Sequence, residues 1–286
     1  MELNTIYNTD CLQGVEYLDD NSIDCVVTSP PYWKLRDYGI KNQLGQEQDA
    51  TEYLAKLLQL FDALRPKLKD ESTIFVNLGD TYNTGKSDWF NRKLQFGLDN
   101  KTLLLLPYRF AIAMCERGWI CRNIINWRKI NPLPQSAKDR FTVDFEPIFF
   151  FTKKTKGYFY KQQLEPYKTK PIIKRNACKL QKIGVIGKGE RNWYKCGGKN
   201  IRTTWDFTNG DNGGGNHIAV YPKKLVARML KAGCPTDGLV LDPFIGSGTT
   251  AIVARGLGMN YIGFELNPDY CELSKKRLAD EAGLFG

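Results

Sequence analysis

Apolar residues along this chain recur at two spacings, and each spacing predicts a type of element. Short apolar runs bounded by Gly, Pro, Asn or Asp predict strands, and apolar residues three or four positions apart predict helices. Strands are expected at 6–8, 22–27, 72–77, 120–127, 146–151, 239–242 and 261–265. Helices are expected at 11–18, 51–64, 107–117, 222–232, 249–255 and 269–278.

The order of these elements predicts an α/β fold. Strands that alternate with helices form a mostly parallel sheet, and the run 22–27 is apolar enough for a strand covered on both faces. The strands at 120–127 and 146–151 are expected to pair with each other. Because the periodicity weakens after 152 and resumes after 204, the chain is expected in three segments: 1–152, an insertion at 153–204, and 205–286.

The positive charge of the chain is concentrated in that insertion. The formal net charge is +10, and residues 153–202 carry 15 of the 41 lysines and arginines but only two acidic residues. Aromatic residues are interleaved with this charge: Tyr158, Phe159, Tyr160, Tyr167, Trp193 and Tyr194. Such a segment suits a polyanion with stackable bases. A solvated, lysine-rich surface insertion without a partner is the alternative.

Several classes of protein are disfavoured by the sequence. The first residues, MELNT, lack the basic and apolar regions of a signal peptide. The longest apolar runs are much shorter than a membrane span. Eight cysteines are scattered without a C-x-x-C pair, so no zinc or other metal site is expected. We therefore expect a cytoplasmic protein with reduced thiols, no membrane association and no metal.

A glycine turn follows the strand at 239–242. The sequence Asp242-Pro243-Phe244-Ile245-Gly246-Ser247-Gly248-Thr249-Thr250 connects that strand to the next helix. Asp242 thus stands at the carboxyl end of a strand, the edge where open α/β sheets bind ligands. Gly246 and Gly248 let the backbone approach a ligand closely. The third glycine of the dinucleotide fingerprint is replaced by Ala251, so a nucleoside cofactor is favoured over a pyrophosphate ligand.

An acidic residue follows the glycine turn at a characteristic distance. Glu265 ends the strand at 261–265, nineteen residues after Gly246. An acid at the tip of the second strand is where a ribose diol is held. The alternative is a carboxylate at the N-terminus of the helix that Asn267-Pro268-Asp269 begins.

A second motif, Thr28-Ser29-Pro30-Pro31-Tyr32-Trp33, follows the strand at 22–27. The Ser29 hydroxyl oxygen and the Pro30 carbonyl can both accept hydrogen bonds from one exocyclic amino group. Two acceptors turn the nitrogen lone pair toward an electrophile, as methyl transfer to nitrogen requires, and the proton can leave to water afterwards. Tyr32 offers a face on which a base removed from its helix can stack. The alternative is a Pro-Pro turn that ends a buried strand, with Tyr32 and Trp33 in the core.

The pairing of these two motifs resembles the amino-methylating DNA methyltransferases. Their order, with the catalytic motif first, the cofactor motif last and a basic stretch between, is similar to the beta class, in which the motifs are circularly permuted. The resemblance implies a Rossmann-like methyltransferase fold, S-adenosylmethionine as cofactor and double-stranded DNA as partner. It also implies a target-recognition role for 153–204. Whether a cognate restriction endonuclease accompanies the protein, and whether it is a monomer or a homodimer, stay open.

The resemblance also implies site residues. The segment at 8–12 resembles the family segment whose acid approaches the cofactor's adenine. The segment at 217–222 resembles the family segment that lines the methionine pocket, and 127–132 with 138–141 resemble the family segment that flanks the flipped base. The expected catalytic residues are Ser29, Pro30, Pro31 and Tyr32. The expected cofactor-binding residues are Asp10, Cys11, His217, Asp242, Pro243, Phe244, Gly246, Ser247, Gly248, Thr249 and Glu265. The expected DNA-binding residues are Lys34, Arg36, Trp127, Lys129, Arg140, Lys174, Arg175, Arg191 and Arg202.

Some roles stay open between two interpretations. His217 is the only histidine, and capping or packing is its alternative role, since methyl transfer to an amino group needs no base. Asp80 is placed either near the active site or in a turn. Residues 81–101 form either a loop that closes on DNA or a loop without function.

The target atom and the substrate class also have alternatives. Ser29 in place of Asp or Asn favours cytosine N4 over adenine N6, although the two rings present similar amino edges. Methylation of RNA or of a protein amide, and a non-catalytic DNA-binding module, are the other hypotheses. Cytosine C5 chemistry is disfavoured because it needs a nucleophilic cysteine, whereas Cys234 precedes a proline in a turn.

Overall fold

The computed structural model describes residues 1–40, 42–83, 95–132, 134–165, 199–208 and 221–282. It divides into two compact units, one formed by 1–160 with 204–286 and the other by 161–203.

Ten strands occur in the described residues: β1 (Thr5–Asn8), β2 (Ile23–Thr28), β3 (Leu68–Asn77), β4 (Ile120–Lys129), β5 (Phe145–Thr152), β6 (Leu164–Glu165), β7 (Lys199–Asn200), β8 (Thr204–Phe207), β9 (Leu239–Asp242) and β10 (Asn260–Glu265). The described helices are α1 (Cys11–Glu16), α2 (Ala50–Leu64), α3 (Leu106–Glu116), α4 (Lys223–Gly233), α5 (Thr249–Gly256) and α6 (Pro268–Ala282), with a 3₁₀ turn at Gln95–Gly97.

The first unit contains an eight-stranded sheet in the order β1-β10-β9-β2-β3-β5-β4-β8. All neighbours pair in parallel except β5, which is antiparallel to both β3 and β4. The start of β5 therefore lies at the same edge as the carboxyl ends of the other seven strands. The described part of the second unit is the antiparallel pair β6–β7.

The direction of chain progression reverses between β9 and β2, which are neighbours in the sheet. From β9 the chain passes through α5 to β10 on one side, and from β2 it passes through α2 to β3 on the other. Ligands of open α/β sheets bind in the crevice at such a switch point. The glycine turn after β9 and the Ser-Pro-Pro-Tyr segment after β2 are brought together there.

Local chemistry explains where the helices begin and end. Asp10 caps α1 by accepting hydrogen bonds from the backbone of its first turn, and Asp49 does the same for α2. The apolar face of α2 is fully buried, with Tyr53, Leu57 and Phe61 all at 0% exposure. Gly118 adopts φ 82° just after α3, a conformation that favours glycine and ends the helix.

The predicted α/β fold with a mostly parallel sheet is confirmed, and every predicted strand and helix is present. β3 begins at Leu68, four residues before the predicted start, and β4 continues two residues beyond its predicted end. β8 was not predicted, because only Trp205 of its four residues is buried, and its Asp206 is exposed and paired with Arg128.

The start of the basic segment belongs to the first unit. The Lys153 ammonium donates to the Leu68 carbonyl at 2.8 Å, and the Tyr158 and Tyr160 rings lie near Phe150. The boundary predicted from charge lies at 153, whereas the boundary between the two compact units lies at 161. No helix among the described residues is long and apolar enough to cross a membrane.

Candidate active site

A cleft of about 1270 Å³ opens at the carboxyl edge of the sheet, within the first unit. Both motifs contribute to its walls. The first motif contributes Ser29, Pro30, Pro31 and Tyr32, and the second contributes Pro243, Phe244, Ile245, Gly246, Ser247 and Thr249. Trp33 is buried in the core, where its indole N–H donates to the Glu47 carbonyl at 3.1 Å. The alternative of a purely structural Pro-Pro turn thus describes Trp33 but not Tyr32.

Asp242 lies beneath the cleft, and it is not among the residues that line it. Its side chain is 1% exposed and accepts four hydrogen bonds. Oδ1 accepts from the Thr28 hydroxyl at 2.7 Å and the Phe244 N–H at 3.1 Å. Oδ2 accepts from the Thr250 and Tyr221 hydroxyls at 2.6 and 3.0 Å. Burial raises the pKa of this carboxyl, and the four donors oppose that rise. Asp242 therefore joins the end of β2 to the glycine turn.

The glycine turn is held in shape by its backbone conformation and by a neighbouring arginine. Gly248 adopts φ 83° at the start of α5, and a Cβ there would lie 2.9 Å from the Ser274 Cβ. Gly248, like Asp242, does not line the cleft. The Arg277 guanidinium donates to the Ser247 carbonyl at 2.5 Å and to its hydroxyl at 2.6 Å. Arg277 was not predicted, because nothing in its position on α6 indicates contact with the turn.

Glu265 lines the cleft and bonds to both elements that the sequence associated with it. Oε2 accepts from the Gly246 N–H at 2.9 Å, and Oε1 accepts from the Asn267 N–H at 2.7 Å, just before α6. Burial raises the pKa of this carboxyl. A carboxylate has about four acceptor sites, so the helix-terminal role leaves acceptor capacity toward the cleft.

Asp10 and Cys11 line the wall of the cleft that is next to Glu265. β1 pairs with β10 so that Asn8 is opposite Glu265, and Asp10 follows two residues later. The Asp10 Oδ1 caps α1 by accepting from Leu12 N–H at 2.8 Å. Burial, with a smaller effect of the Asp10 charge, raises the pKa of Cys11 to about 12. Its thiol is therefore protonated at neutral pH.

The opposite wall contains a hydrogen-bonded cluster around Tyr32. The Tyr32 hydroxyl donates to Glu146 Oε2 at 2.7 Å, and Asn77 Oδ1 lies 3.1 Å from the same hydroxyl. The Ser29 hydroxyl donates to the Tyr32 oxygen over a long 3.4 Å. Burial, followed by the Glu146 charge, raises the pKa of Tyr32 well above its ordinary value. Tyr32 is therefore a neutral phenol, and its ring packs on Gly79, where a Cβ would lie 2.4 Å from Cε2.

Glu146 and Asn77 were not predicted as site residues. Glu146 is the second residue of β5, and it reaches the cleft because β5 runs antiparallel to the other strands. Sequence patterns direct the search for site residues to the carboxyl ends of parallel strands. Glu146 was missed because it lies near the start of a strand instead. Asn77 ends β3, but the sequence directed attention to Asp80, three residues later.

Trp127 and Lys129 both line the cleft, next to Glu146. The Lys129 ammonium forms an ion pair with Glu146 Oε1 and lies 5.3 Å from the centre of the Trp127 ring. Lys129 was predicted to bind DNA. The structure gives it a carboxylate partner within the cleft, and its contact with DNA stays a prediction.

The other predicted DNA-binding residues occupy different places. Arg36 lines the cleft, while the Lys34 ammonium donates to the Gln46 carbonyl at 2.9 Å. The Arg140 guanidinium lies 3.8 Å from the centre of the Tyr82 ring, and Arg202 is exposed in the second unit. Four predicted residues lie outside the described residues: Lys174, Arg175, Arg191 and His217.

Asp80 has the contacts of a turn and a helix cap. Its Oδ1 accepts from the Thr81 and Leu106 N–H groups at 2.9 and 3.1 Å. Among the described residues, no group of His, Cys, Asp and Glu side chains is arranged to hold a metal ion.

Comparison with known proteins identifies relatives along nearly the whole chain. A family model described as DNA methylase, of the N6/N4 methyltransferase type, matches residues 23–276. Type II methyltransferase M.SmaI of Serratia marcescens is 36% identical, over 94% of this chain and 88% of its own. Type II methyltransferase M.Cfr9I of Citrobacter freundii is 33% identical, over 98% of this chain and 90% of its own.

Solved structures resemble this fold as well. The cytosine-N4-specific PvuII DNA methyltransferase has a TM-score of 0.66 and 19% identity, over 96% of this chain and 89% of its own. A putative DNA modification methylase from Thermus thermophilus, complexed with S-adenosyl-L-methionine, has a TM-score of 0.64 and 23% identity, over 97% and 93%. These likenesses show that the sheet has the methyltransferase architecture.

Proposed function

Since the chain belongs to the DNA methylase family of N6/N4 amino-methyltransferases, we propose that it methylates the exocyclic N4 of a cytosine flipped out of double-stranded DNA, with S-adenosylmethionine as the methyl donor. One observation supports this most strongly. The glycine turn and the Ser-Pro-Pro-Tyr segment, more than two hundred residues apart in the sequence, line one cleft at the switch point of the sheet.

The residues on one wall fit the nucleoside cofactor. Glu265 retains acceptor capacity for the ribose hydroxyls, and the Asp10 carboxylate lines the neighbouring wall where the adenine would lie. Phe244 and Cys11 supply apolar surface, and Gly246 leaves the backbone accessible. Asp242 supports these groups from below through Thr28 and Thr250. S-adenosylmethionine would supply an electrophilic methyl group on its sulfonium, and His217 stays a proposal from sequence.

The residues on the other wall fit an amino group. Ser29 Oγ and the Pro30 carbonyl are its proposed acceptors, and no donor among the described residues bonds to that carbonyl. The neighbouring Pro31 carbonyl is already occupied, because Tyr53 donates to it at 2.9 Å. The Tyr32 ring and the Trp127 ring provide surfaces for the base.

Two observations favour cytosine N4 over adenine N6. Residue 29 is a serine, whose neutral hydroxyl differs from the carboxylate or amide of an Asp or Asn in how it polarises the amino group. The PvuII structure that resembles this fold is described as cytosine-N4-specific. Adenine N6 is the alternative, and the family includes both chemistries.

Two parts of the chain are each proposed to contact DNA, the mouth of the cleft and the basic insertion. Arg36 lines the cleft, and Arg140 and the 94%-exposed Phe141 belong to a loop that borders it. Residues 153–204 are proposed to read the target sequence, with Lys174, Arg175, Arg191 and Arg202 contacting phosphates. A cognate restriction endonuclease is proposed as the companion of this activity.

Nucleoside analysis tests the proposal directly. The protein is incubated with S-adenosylmethionine and mixed-sequence duplex DNA, and the DNA is digested and its nucleosides are weighed, with Ser29→Ala as the control. N4-methylcytosine that disappears in Ser29→Ala would support the proposal. N6-methyladenine would overturn the target base. A protein that binds S-adenosylmethionine by calorimetry yet yields no methylated nucleoside would overturn DNA as the substrate.

A further inference from the structure

The hydrogen bonds around Tyr32 run in one direction, from Ser29 through Tyr32 to acceptors on β3 and β5. The Ser29 hydroxyl donates to the Tyr32 oxygen, and the Tyr32 hydroxyl donates to Glu146 Oε2 at 2.7 Å. Because a serine hydroxyl has a single proton, this direction leaves Ser29 only lone pairs to offer elsewhere. Ser29 is thereby an acceptor for an amino group in the cleft.

The direction of these hydrogen bonds is fixed by the groups that surround Glu146 and Asn77. The Asn77 amide donates from Nδ2 to the Pro147 carbonyl at 3.3 Å, so its Oδ1 faces Tyr32 as an acceptor. The Lys129 ammonium, which can only donate, occupies Glu146 Oε1. The Tyr32 hydroxyl thus has two acceptors beside it, Glu146 Oε2 and Asn77 Oδ1. Because its single proton is donated to one of them, it can only accept from Ser29.

We propose that Glu146 is the end of a proton path, Ser29–Tyr32–Glu146, which keeps Ser29 an acceptor and takes up the proton released when the target amino group is methylated. The inference rests on the proposed function and deepens it, since it assigns a role to a residue outside the Ser-Pro-Pro-Tyr segment.

Methyl transfer releases one proton, and the path accounts for it. A bond forms between the amino nitrogen and the methyl carbon while the bond from that carbon to sulfur breaks, which leaves a neutral thioether and a positively charged nitrogen. That nitrogen loses one proton to Ser29 Oγ. The Ser29 proton passes to the Tyr32 oxygen, and the Tyr32 proton passes to Glu146 Oε2. Glu146 lines the cleft, so it returns the proton to water after the products leave.

Glu146 rather than Asn77 ends the path, although both lie within hydrogen-bonding distance of Tyr32. A carboxylate can hold the transferred proton, whereas a neutral amide oxygen is a much weaker base. The Tyr32–Glu146 distance is also the shorter of the two, at 2.7 against 3.1 Å. The long 3.4 Å contact from Ser29 is expected to shorten when the base is bound, as catalytic hydrogen bonds often do.

Glu146→Gln tests the path with almost no change in shape. Because Lys129 can only donate, the new amide oxygen must face Lys129, and the amide N–H₂ must face Tyr32. Tyr32 then loses its carboxylate acceptor and gains a donor that competes with Ser29 for its oxygen. We expect the single-turnover methylation rate to fall ~100-fold, as for loss of a general base. Affinities for S-adenosylmethionine and for DNA should stay within about twofold.

A second variant distinguishes a proton path from a structural role. Adding Asn77→Asp to Glu146→Gln returns a carboxylate to the Tyr32 hydroxyl, now from β3 instead of β5, and the rate should recover about tenfold. The matched control is Asp62→Asn, which neutralises an ion-paired carboxylate that does not line the cleft and should leave the rate unchanged. A merely structural Glu146 would not be rescued by a second substitution beside it.

A measurement without DNA observes the hydrogen bond itself. With ¹³Cζ-labelled tyrosine, the Tyr32 resonance is assigned by its loss in Tyr32→Phe, and it should move upfield in Glu146→Gln because donation to a carboxylate ends. An unchanged resonance, or a Glu146→Gln protein that methylates as fast as the wild type, would overturn the proton path alone. A wild-type protein that methylates no DNA would overturn the proposed function and the path with it.

Discussion

Replacing Asp242 tests how the floor of the cleft is held together. In Asp242→Ala, four buried donors lose their acceptor: the Thr28, Thr250 and Tyr221 hydroxyls and the Phe244 N–H. A hydrogen bond to a charged group contributes ~1.5–3 kcal/mol, but four bonds to one carboxylate are not additive, and burial of that charge is itself costly. Breaking a buried charged network costs about 3–5 kcal/mol, and we expect that loss in the free energy of unfolding.

Asp242→Asn is the matched variant, and its expected cost is smaller. The Phe244 N–H cannot turn around, so the amide oxygen must take the position of Oδ1. The amide N–H₂ then faces the Tyr221 and Thr250 hydroxyls, which can rotate to accept. We expect a loss of about 1–2 kcal/mol.

The pH dependence of this difference isolates the charge of Asp242. Burial raises its pKa in the folded state above the ordinary value of 3.8, so the folded protein binds the proton more tightly than the unfolded chain does. The stabilisation that comes from this tighter proton binding is therefore complete below pH 3.8 and is lost as pH rises through the folded pKa of Asp242. Asparagine does not titrate, so the stability advantage of the wild type over Asp242→Asn should shrink as pH rises through that window.

Urea titration, followed by tryptophan fluorescence, measures these changes as shifts in midpoint at constant slope. Calorimetry with S-adenosylmethionine should show binding in Asp242→Asn and none in Asp242→Ala, because the turn loses its anchor. The reasoning would be refuted by a loss below about 1 kcal/mol in Asp242→Ala. It would also be refuted if alanine were no more destabilising than asparagine.

Three further outcomes are expected. Gly79→Ala should lower the methylation rate at least tenfold while sparing S-adenosylmethionine affinity, because the added Cβ would displace the Tyr32 ring. Single-turnover kinetics measures the rate and calorimetry the affinity, and an unaltered rate would show that this packing is unimportant. Cys11 should resist alkylation by iodoacetamide at pH 8, since its pKa is raised to about 12, while exposed Cys115 reacts, and mass spectrometry of the peptides would show whether that order is reversed. Neutralising Lys174, Arg175 and Arg191 should weaken DNA binding and reduce its salt dependence. Binding titrations at several salt concentrations measure this, and an unchanged slope would contradict the role of these residues.

The sequence predicted those features that depend on local patterns. Apolar spacing located the strands and helices, since burial on one or both faces constrains which positions are apolar. The glycine turn and the Ser-Pro-Pro-Tyr segment were found because each concentrates unusual residues at the end of a strand. Their joint lining of one cleft then followed from a parallel sheet with a switch point.

The tertiary structure decided which side chains meet. Glu146 reaches Tyr32 because β5 is antiparallel, and strand direction depends on long-range pairing that no local pattern encodes. Asp242 was expected at the cofactor, but burial beneath the turn, visible only once β2 and β9 are neighbours, makes it a support for the cleft. The sequence by itself thus determined the elements and the two motifs. Packing between distant strands determined the proton acceptor and the structural carboxylate, because both roles depend on contacts made across the sheet.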